Sequence, residues 1–266
     1  MLCAAGAAAG ITSGLFGNGG GFVVVPALLV VFPAFSVPDS SLMYVAVGTS
    51  LATIVVSSAR SVQAHYRRGA VDFQTLKSWS GWLIGGVAIG LWIASMADAR
   101  MLIFVFASGV MLFSVYFLYP KALTRMRRRH QMPDGASRAA LASFLGGFSA
   151  LLGIGGGTIT VMTMVLCNRP IHQAVATAAG VGVLIGLPGA IGFLVLGLGN
   201  SDLPWGSIGY VNLPALLAVC ALSIFTAPLG ARMAHSLNED NLKRLFGVYL
   251  IIVSISMFIK GMDVGV

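Results

Sequence analysis

Eight stretches of the chain carry no Lys, Arg, Asp or Glu: residues 1–38, 40–59, 78–97, 101–120, 139–168, 171–201, 203–231 and 245–259. A helix needs about 20 apolar residues to cross the hydrocarbon core of a bilayer. Each run is near or above that length or close to it, so the pattern predicts a membrane protein built of helices. Composition agrees: 57% of the 266 residues are hydrophobic and only 9% are charged, against about a quarter charged in a soluble domain. The opening MLCAAGAAAG lacks a basic leader and reads as the start of a membrane segment, not a cleaved signal.

Two apolar runs contain nearly the same glycine string. Residues 14–22 read GLFGNGGGF and residues 151–158 read LLGIGGGT. Their surroundings match as well. Ser13 and Ser149 head the two strings, Ala46-Val-Gly-Thr-Ser50 parallels Ala174-Val-Ala-Thr-Ala178, Ile89-Gly90 parallels Leu229-Gly230, and Phe106 parallels Phe246. The chain therefore reads as two related membrane repeats, 1–120 and 137–266, joined by a basic linker at 121–136.

Charge decides their relative orientation. Suppose every apolar run crosses the membrane. Apart from Arg60, the Lys and Arg residues then divide ten inside to five outside. Suppose the first and fifth runs instead enter and return on one side. Thirteen then lie inside and only Arg100 and Lys260 outside. The second arrangement fits the positive-inside rule. Length agrees, since residues 137–168 would make one helix of about 48 Å at 1.5 Å per residue, longer than a core of about 30 Å. Folded at its glycines, each arm is expected to be about half as long. The predicted fold is all-α and polytopic: two inverted-topology repeats, each a glycine-broken, re-entrant or kinked helix plus three transmembrane helices. In such proteins substrate binds at broken helices near the midplane.

Glycine inside a helix costs roughly 1 kcal/mol relative to alanine, so several together break it. A break exposes N–H donors and the positive end of a helix dipole, and successive amides in a glycine turn can cradle an anion. This makes Asn18, Gly19, Gly20 and Gly21, with Gly155, Gly156, Gly157 and Thr158, candidates for holding a small oxyanion. Close helix packing is the structural alternative. No strand precedes either string and no Gly-Lys-Ser/Thr follows, so a nucleotide loop is excluded. Thr49, Ser50 and Thr177 offer hydroxyls in charge-free runs, unless they bond back to their own helices. Arg60 ends a run of twenty uncharged residues. Its fork suits an oxyanion, although it could also snorkel to the interface. His65, Arg67 and Arg68 mark the inner end of that segment as topology signals, or focus anions there. Arg125, Arg127, Arg128, Arg129 and His130 form a solvated or lipid-facing basic run. Trp79, Trp82, Tyr116, Tyr119 and Trp205 sit near segment ends, as an aromatic belt would. Cys3, Cys167 and Cys220 form no metal or disulfide pattern.

The strings GLFGNGGGFVVVPALL and LLGIGGGTITVMTM, with AVGTSLATIVVSSARSVQAHYRRGAVD from Ala46 and HQAVATAAGVGVLIGLPGAIGF from His172, resemble those of the TauE/SafE sulfite exporters, also described as 4-toluene sulfonate uptake permeases. The resemblance covers nearly the whole chain. It implies a permease for small sulfur-containing anions (sulfite, sulfoacetate or related organosulfonates) in a bacterial inner membrane. The second repeat departs from the pattern, with Ala176-Thr177-Ala178 where the first has Gly48-Thr49-Ser50. No Asp or Glu lies well inside a membrane run, which argues against a carboxylate proton relay. The reading is thus an exporter working by alternating access and driven by the membrane potential, with an anion channel or an uptake permease as alternatives. No enzyme, cofactor, metal site or nucleic-acid partner is expected. The expected partners are the anion and the bilayer, and the protein would be a monomer or a homodimer.

Overall fold

The computed structural model describes residues 1–35, 38–119, 132–200, 203–233 and 239–263. The basic run at Arg125 to His130 lies outside them. Among the described residues ten α-helices carry the fold: α1 (Leu2–Phe16), α2 (Gly21–Val31), α3 (Asp39–Tyr66), α4 (Phe73–Met96), α5 (Ala99–Leu118), α6 (Gly135–Leu152), α7 (Gly157–Leu166), α8 (Ile171–Leu196), α9 (Leu213–Met233) and α10 (Glu239–Asp263). A two-residue hairpin, β1 (Ser207–Ile208) and β2 (Val211–Asn212), precedes α9. Among the described residues, α3, α4, α5, α6, α8 and α9 are long and apolar enough to cross a membrane. The outer faces of the bundle present Trp92, Leu112, Leu217, Phe225 and Ile252, all more than half exposed. That surface suits lipid and not water, so the chain is a multi-pass membrane protein. Trp79 departs from the predicted aromatic belt and is buried in the core.

Both glycine strings break their helix. The break separates α1 from α2 and α6 from α7. The arms are less equal than their lengths in sequence suggested: 15 and 11 residues in the first pair, 18 and 10 in the second. The longer first arms have a packing reason. On α1, Gly6, Gly10 and Gly14 lie successively against Val219, Ser223 and Ala227 of α9. On α4, Gly86 and Gly90 lie against Ser143 and Gly147 of α6. Small residues one turn apart let the two backbones touch along several turns, so each first arm follows a full-length partner.

These contacts relate the first five helices to the last five. The α1–α9 pairing has its counterpart in the α6–α4 pairing. The equivalent helices α3 and α8 run antiparallel, with Gly48 beside Phe193 and Ser58 beside Gly182. So do α5 and α10, with Leu118 beside Gly247 and Ile103 beside Gly261. A cluster of aromatic rings fastens the first broken helix to this second pair: Phe16 meets Phe117 and Phe246, and Phe22 meets Phe113.

Neighbouring glycines of α4 give a sharp contrast. A Cβ on Gly86 would lie 2.0 Å from the Ser143 carbonyl oxygen, whereas one on Gly85 would meet nothing within 4 Å. Gly85→Ala is therefore expected to be neutral or to stabilise by up to about 1 kcal/mol through helix propensity. Gly86→Ala is expected to destabilise by about 1–3 kcal/mol through overpacking. Thermal melts of the two variants in the same detergent check the opposite signs.

Candidate functional site

The two breaks are built alike. Gly17 and Gly153 end their helices with φ of 65° and 64°, and Gly20 and Gly156 precede the next helices with φ of 81° and 66°. These are left-handed conformations that a side chain disfavours, which is why both strings need glycine at both ends. Each turn is pinned by a helix of the other set. A Cβ on Gly17 would lie 2.5 Å from the Val175 carbonyl oxygen of α8, and one on Gly153 would lie 3.1 Å from the Val47 Cα of α3. Val47 and Val175 hold the same place in the repeated sequence.

The bends lie side by side and antiparallel, in direct backbone contact. Gly157 sits on the Gly17 carbonyl, its hypothetical Cβ only 1.9 Å from that oxygen. Gly21 sits on the Gly153 carbonyl in the same way, at 2.4 Å. So the strings do meet, as two amide loops facing one another would. They touch in this conformation, without a gap.

The surroundings of the contact are polar and buried. Asn18 accepts a hydrogen bond from the Gly20 N–H at 3.0 Å through Oδ1, which shapes the first bend. Its Nδ2 has no partner among the described residues. The hydroxyls of Ser13, Ser58, Ser149 and Thr158 are also buried without a partner. Ser58 stands between the two halves of the site: a Cβ on Gly19 would lie 3.0 Å from its Oγ and one on Gly182 would lie 2.4 Å from it. A Cβ on Gly156 would similarly lie 3.1 Å from Ser149 Oγ. Among the described residues, no hydrogen bond engages the backbone N–H of Asn18, Gly19 or Gly21, nor that of Gly155, Gly156, Gly157 or Thr158. Buried polar groups are paired in more than nine cases of ten, and each unmade bond costs about 1–3 kcal/mol. These buried groups lie in or next to the two glycine strings in sequence or in contact with them, and no carboxylate is among them.

The other predicted residues play different parts. Ser50 Oγ donates to the Gly153 carbonyl at 2.8 Å and so holds the second bend against α3. Ala178, its counterpart, only touches Gly17 with its methyl group. Thr49 and Thr177 are a matched pair. Thr49 Oγ1 accepts from the Asn212 N–H at 2.9 Å, and Thr177 Oγ1 accepts from the Asp72 N–H at 3.0 Å. Asn212 and Asp72 in turn accept from the N–H three residues on, at Ala215 and Thr75. The threonines thus anchor the residues that precede α9 and α4, and these bonds do not run back to their own helices. Arg60 is exposed, donates to Gln63 Oε1 and lies two residues beyond Ser58, away from the bends.

Sequence reasoning passed over four serines. Ser57 Oγ donates to the Gly19 carbonyl at 2.8 Å and fixes the first bend. Ser58, Ser13 and Ser149 contribute unpaired hydroxyls. The signal was present for two of them, since Ser13 and Ser149 head the repeated strings. Nothing in the sequence distinguished Ser57 and Ser58.

Comparison with known proteins agrees with this architecture. The family model described as "Sulfite exporter TauE/SafE" matches residues 2–257. A protein of Haemophilus influenzae named "Probable membrane transporter protein" is 37% identical over 267 residues, covering 98% of each chain. A probable membrane transporter protein of Methanocaldococcus jannaschii is 27% identical over 263 residues, covering 97% of this chain and 95% of that one. The Bacillus subtilis protein YunE, similarly named, is 25% identical over 284 residues, covering 98% and 97%. No solved structure matches. The chain is a membrane transporter and belongs to the TauE/SafE sulfite exporter family.

Proposed function

We propose that this transporter exports small sulfur-containing anions, such as sulfite, sulfoacetate or related organosulfonates, by alternating access around the two glycine bends. The observation that carries the reading is the buried contact of the bends, where unpaired amides and hydroxyls gather without any acidic side chain. An anion leaving water loses strong hydration, and only fixed donors of this kind replace it. Antiparallel packing of equivalent helices supports an inverted repeat, in which one bend belongs to each leaflet. Gly157 seated on the Gly17 carbonyl makes this conformation closed at the centre. Passage then requires the bends to part, each moving with the long helix that pins it. Asn18, Gly19, Gly20 and Gly21 on one side, and Gly155, Gly156, Gly157 and Thr158 on the other, take the anion, with Ser58 between them. Thr49, Ser50 and Thr177 hold the bends and neighbouring helix starts in place. Arg60 acts at the inner mouth and not at the centre.

Ser58→Ala separates this reading from a packing role. Removing an unpaired buried hydroxyl is expected to leave the melting temperature unchanged or higher. It is also expected to lower sulfite flux in proteoliposomes about tenfold or more, the equivalent of one lost hydrogen bond to a charged group. Unchanged flux would refute a place for Ser58 in the anion path. The flux itself should saturate with sulfite concentration; large unitary currents in planar bilayers would replace the carrier by a channel.

A further inference from the structure

Arginines from two distant parts of the chain line one cleft. Arg60, Gln63, Ala64, Arg67 and Arg68 come from the end of α3 and the residues after it, and Pro228 and Arg232 from the end of α9. The cleft has a volume of about 390 Å³, room for a small hydrated anion. Among the described residues, no carboxylate pairs with any of its four arginines. Two hydrogen bonds define their setting: Arg60 donates to Gln63 Oε1, and Arg68 Nη1 donates to the Ala231 carbonyl at 3.2 Å. Four exposed guanidinium groups around one concavity, without a carboxylate partner among the described residues, create a local positive potential that an oxyanion relieves.

The cleft also has a defined relation to the bends. One face of α3 carries Ser50, Ser57, Ser61 and Ala64, spaced so that they lie along one side of the helix. Ser50 bonds the second bend, Ser57 bonds the first, and Ser61 Oγ reaches the Ser13 carbonyl at 3.5 Å. Ala64 on the same face lines the cleft, and Arg68 one turn on lines it too. Across from them, Pro228 lies in the stretch of α9 against which Gly14 of α1 is seated, just before the first bend. The arginine cleft therefore stands at the end of a polar stripe that leads to the central contact.

We propose that this cleft is a separate loading site, at which Arg60, Arg67, Arg68 and Arg232 capture the oxyanion before it reaches the bends. The cargo named here rests on the transport reading above; the site itself does not. Sulfite binding to the purified full-length protein, measured by calorimetry at low ionic strength in nanodiscs of zwitterionic lipid, tests it. The triple variant R67Q/R68Q/R232Q is expected to weaken binding by roughly tenfold or more, through loss of electrostatic attraction. The native affinity is expected to fall toward that of the variant as salt shortens the screening length. Lysine at the same three positions keeps the charge and is expected to restore most of the affinity. A lysine variant as weak as the glutamine one would mean disturbed packing and would overturn the assignment. Sulfite binding unchanged in the glutamine variant would overturn it as well. If that variant instead alters only the retention of anionic phospholipid, measured in a second set of nanodiscs that contain it, the cleft is a headgroup site and the proposal fails. Sulfite bound but not carried in proteoliposomes would refute the transport reading while leaving the cleft intact; sulfite carried with no difference in binding between native protein and variant would refute the cleft alone.

Discussion

Gly157→Ala is expected to remove transport altogether and to destabilise the protein severely. The new Cβ would stand 1.9 Å from the Gly17 carbonyl oxygen and 2.6 Å from the Asn18 Cα. Both neighbours are backbone, so no side chain can swing aside. Overpacking of a dense core ordinarily costs about 1–3 kcal/mol, occasionally more. Here the displaced atoms belong to the opposite bend, which α8 pins at Val175. The loss is therefore expected at or above the upper end of that range. Gly21→Ala, which meets the Gly153 carbonyl at 2.4 Å, is expected to follow closely. Melting temperature and proteoliposome flux, measured beside Gly85→Ala, check the claim. A Gly157→Ala protein that melts and transports like the native one would show that the two bends do not depend on touching.

Collapsing the membrane potential is expected to abolish uphill export of sulfite. An interior negative by 100 mV favours outward movement of a monoanion by about 2.3 kcal/mol. Since about 1.4 kcal/mol is tenfold in an equilibrium, a carrier with no coupled ion would reach an outside-to-inside ratio of roughly 50. A dianion would have about twice the driving free energy. Vesicles clamped by a potassium gradient with an ionophore give the ratio directly. A ratio that ignores the clamp, or that instead follows an imposed proton gradient, would refute uncoupled export. The acid-free bends are what make this expectation specific, because no carboxylate stands among their unpaired groups to carry a proton.

Much of the architecture can be read before any coordinates. Uncharged runs mark the spans because burying charge in hydrocarbon is costly wherever the helix sits. The strings at 14–22 and 151–158 mark the breaks because glycine weakens a helix locally. Both are short-range effects, and the helices observed end at Phe16 and Leu152 as those effects require. Thr49 and Thr177 show where such reading stops. Their place in the repeat was visible, but their partners, Asn212 and Asp72, are more than a hundred residues away. Hydroxyls that looked free for a ligand are engaged in anchoring helix starts. Ser58 is the reverse case, an ordinary serine in sequence that packing leaves unpaired beside the bends.

By itself the sequence determined the apolar spans and the two glycine breaks. All of these follow from local composition and from the membrane as solvent. Only the tertiary structure decided that the bends touch, that Ser57, Ser58 and Ser149 come against them, and that Arg232 joins Arg60, Arg67 and Arg68 in one cleft. Those outcomes depend on which helix faces accept one another at backbone contact, as α1 and α9 do through Gly6, Gly10 and Gly14. Contact of that kind is a property of two surfaces far apart in the chain, and no window along one segment contains it.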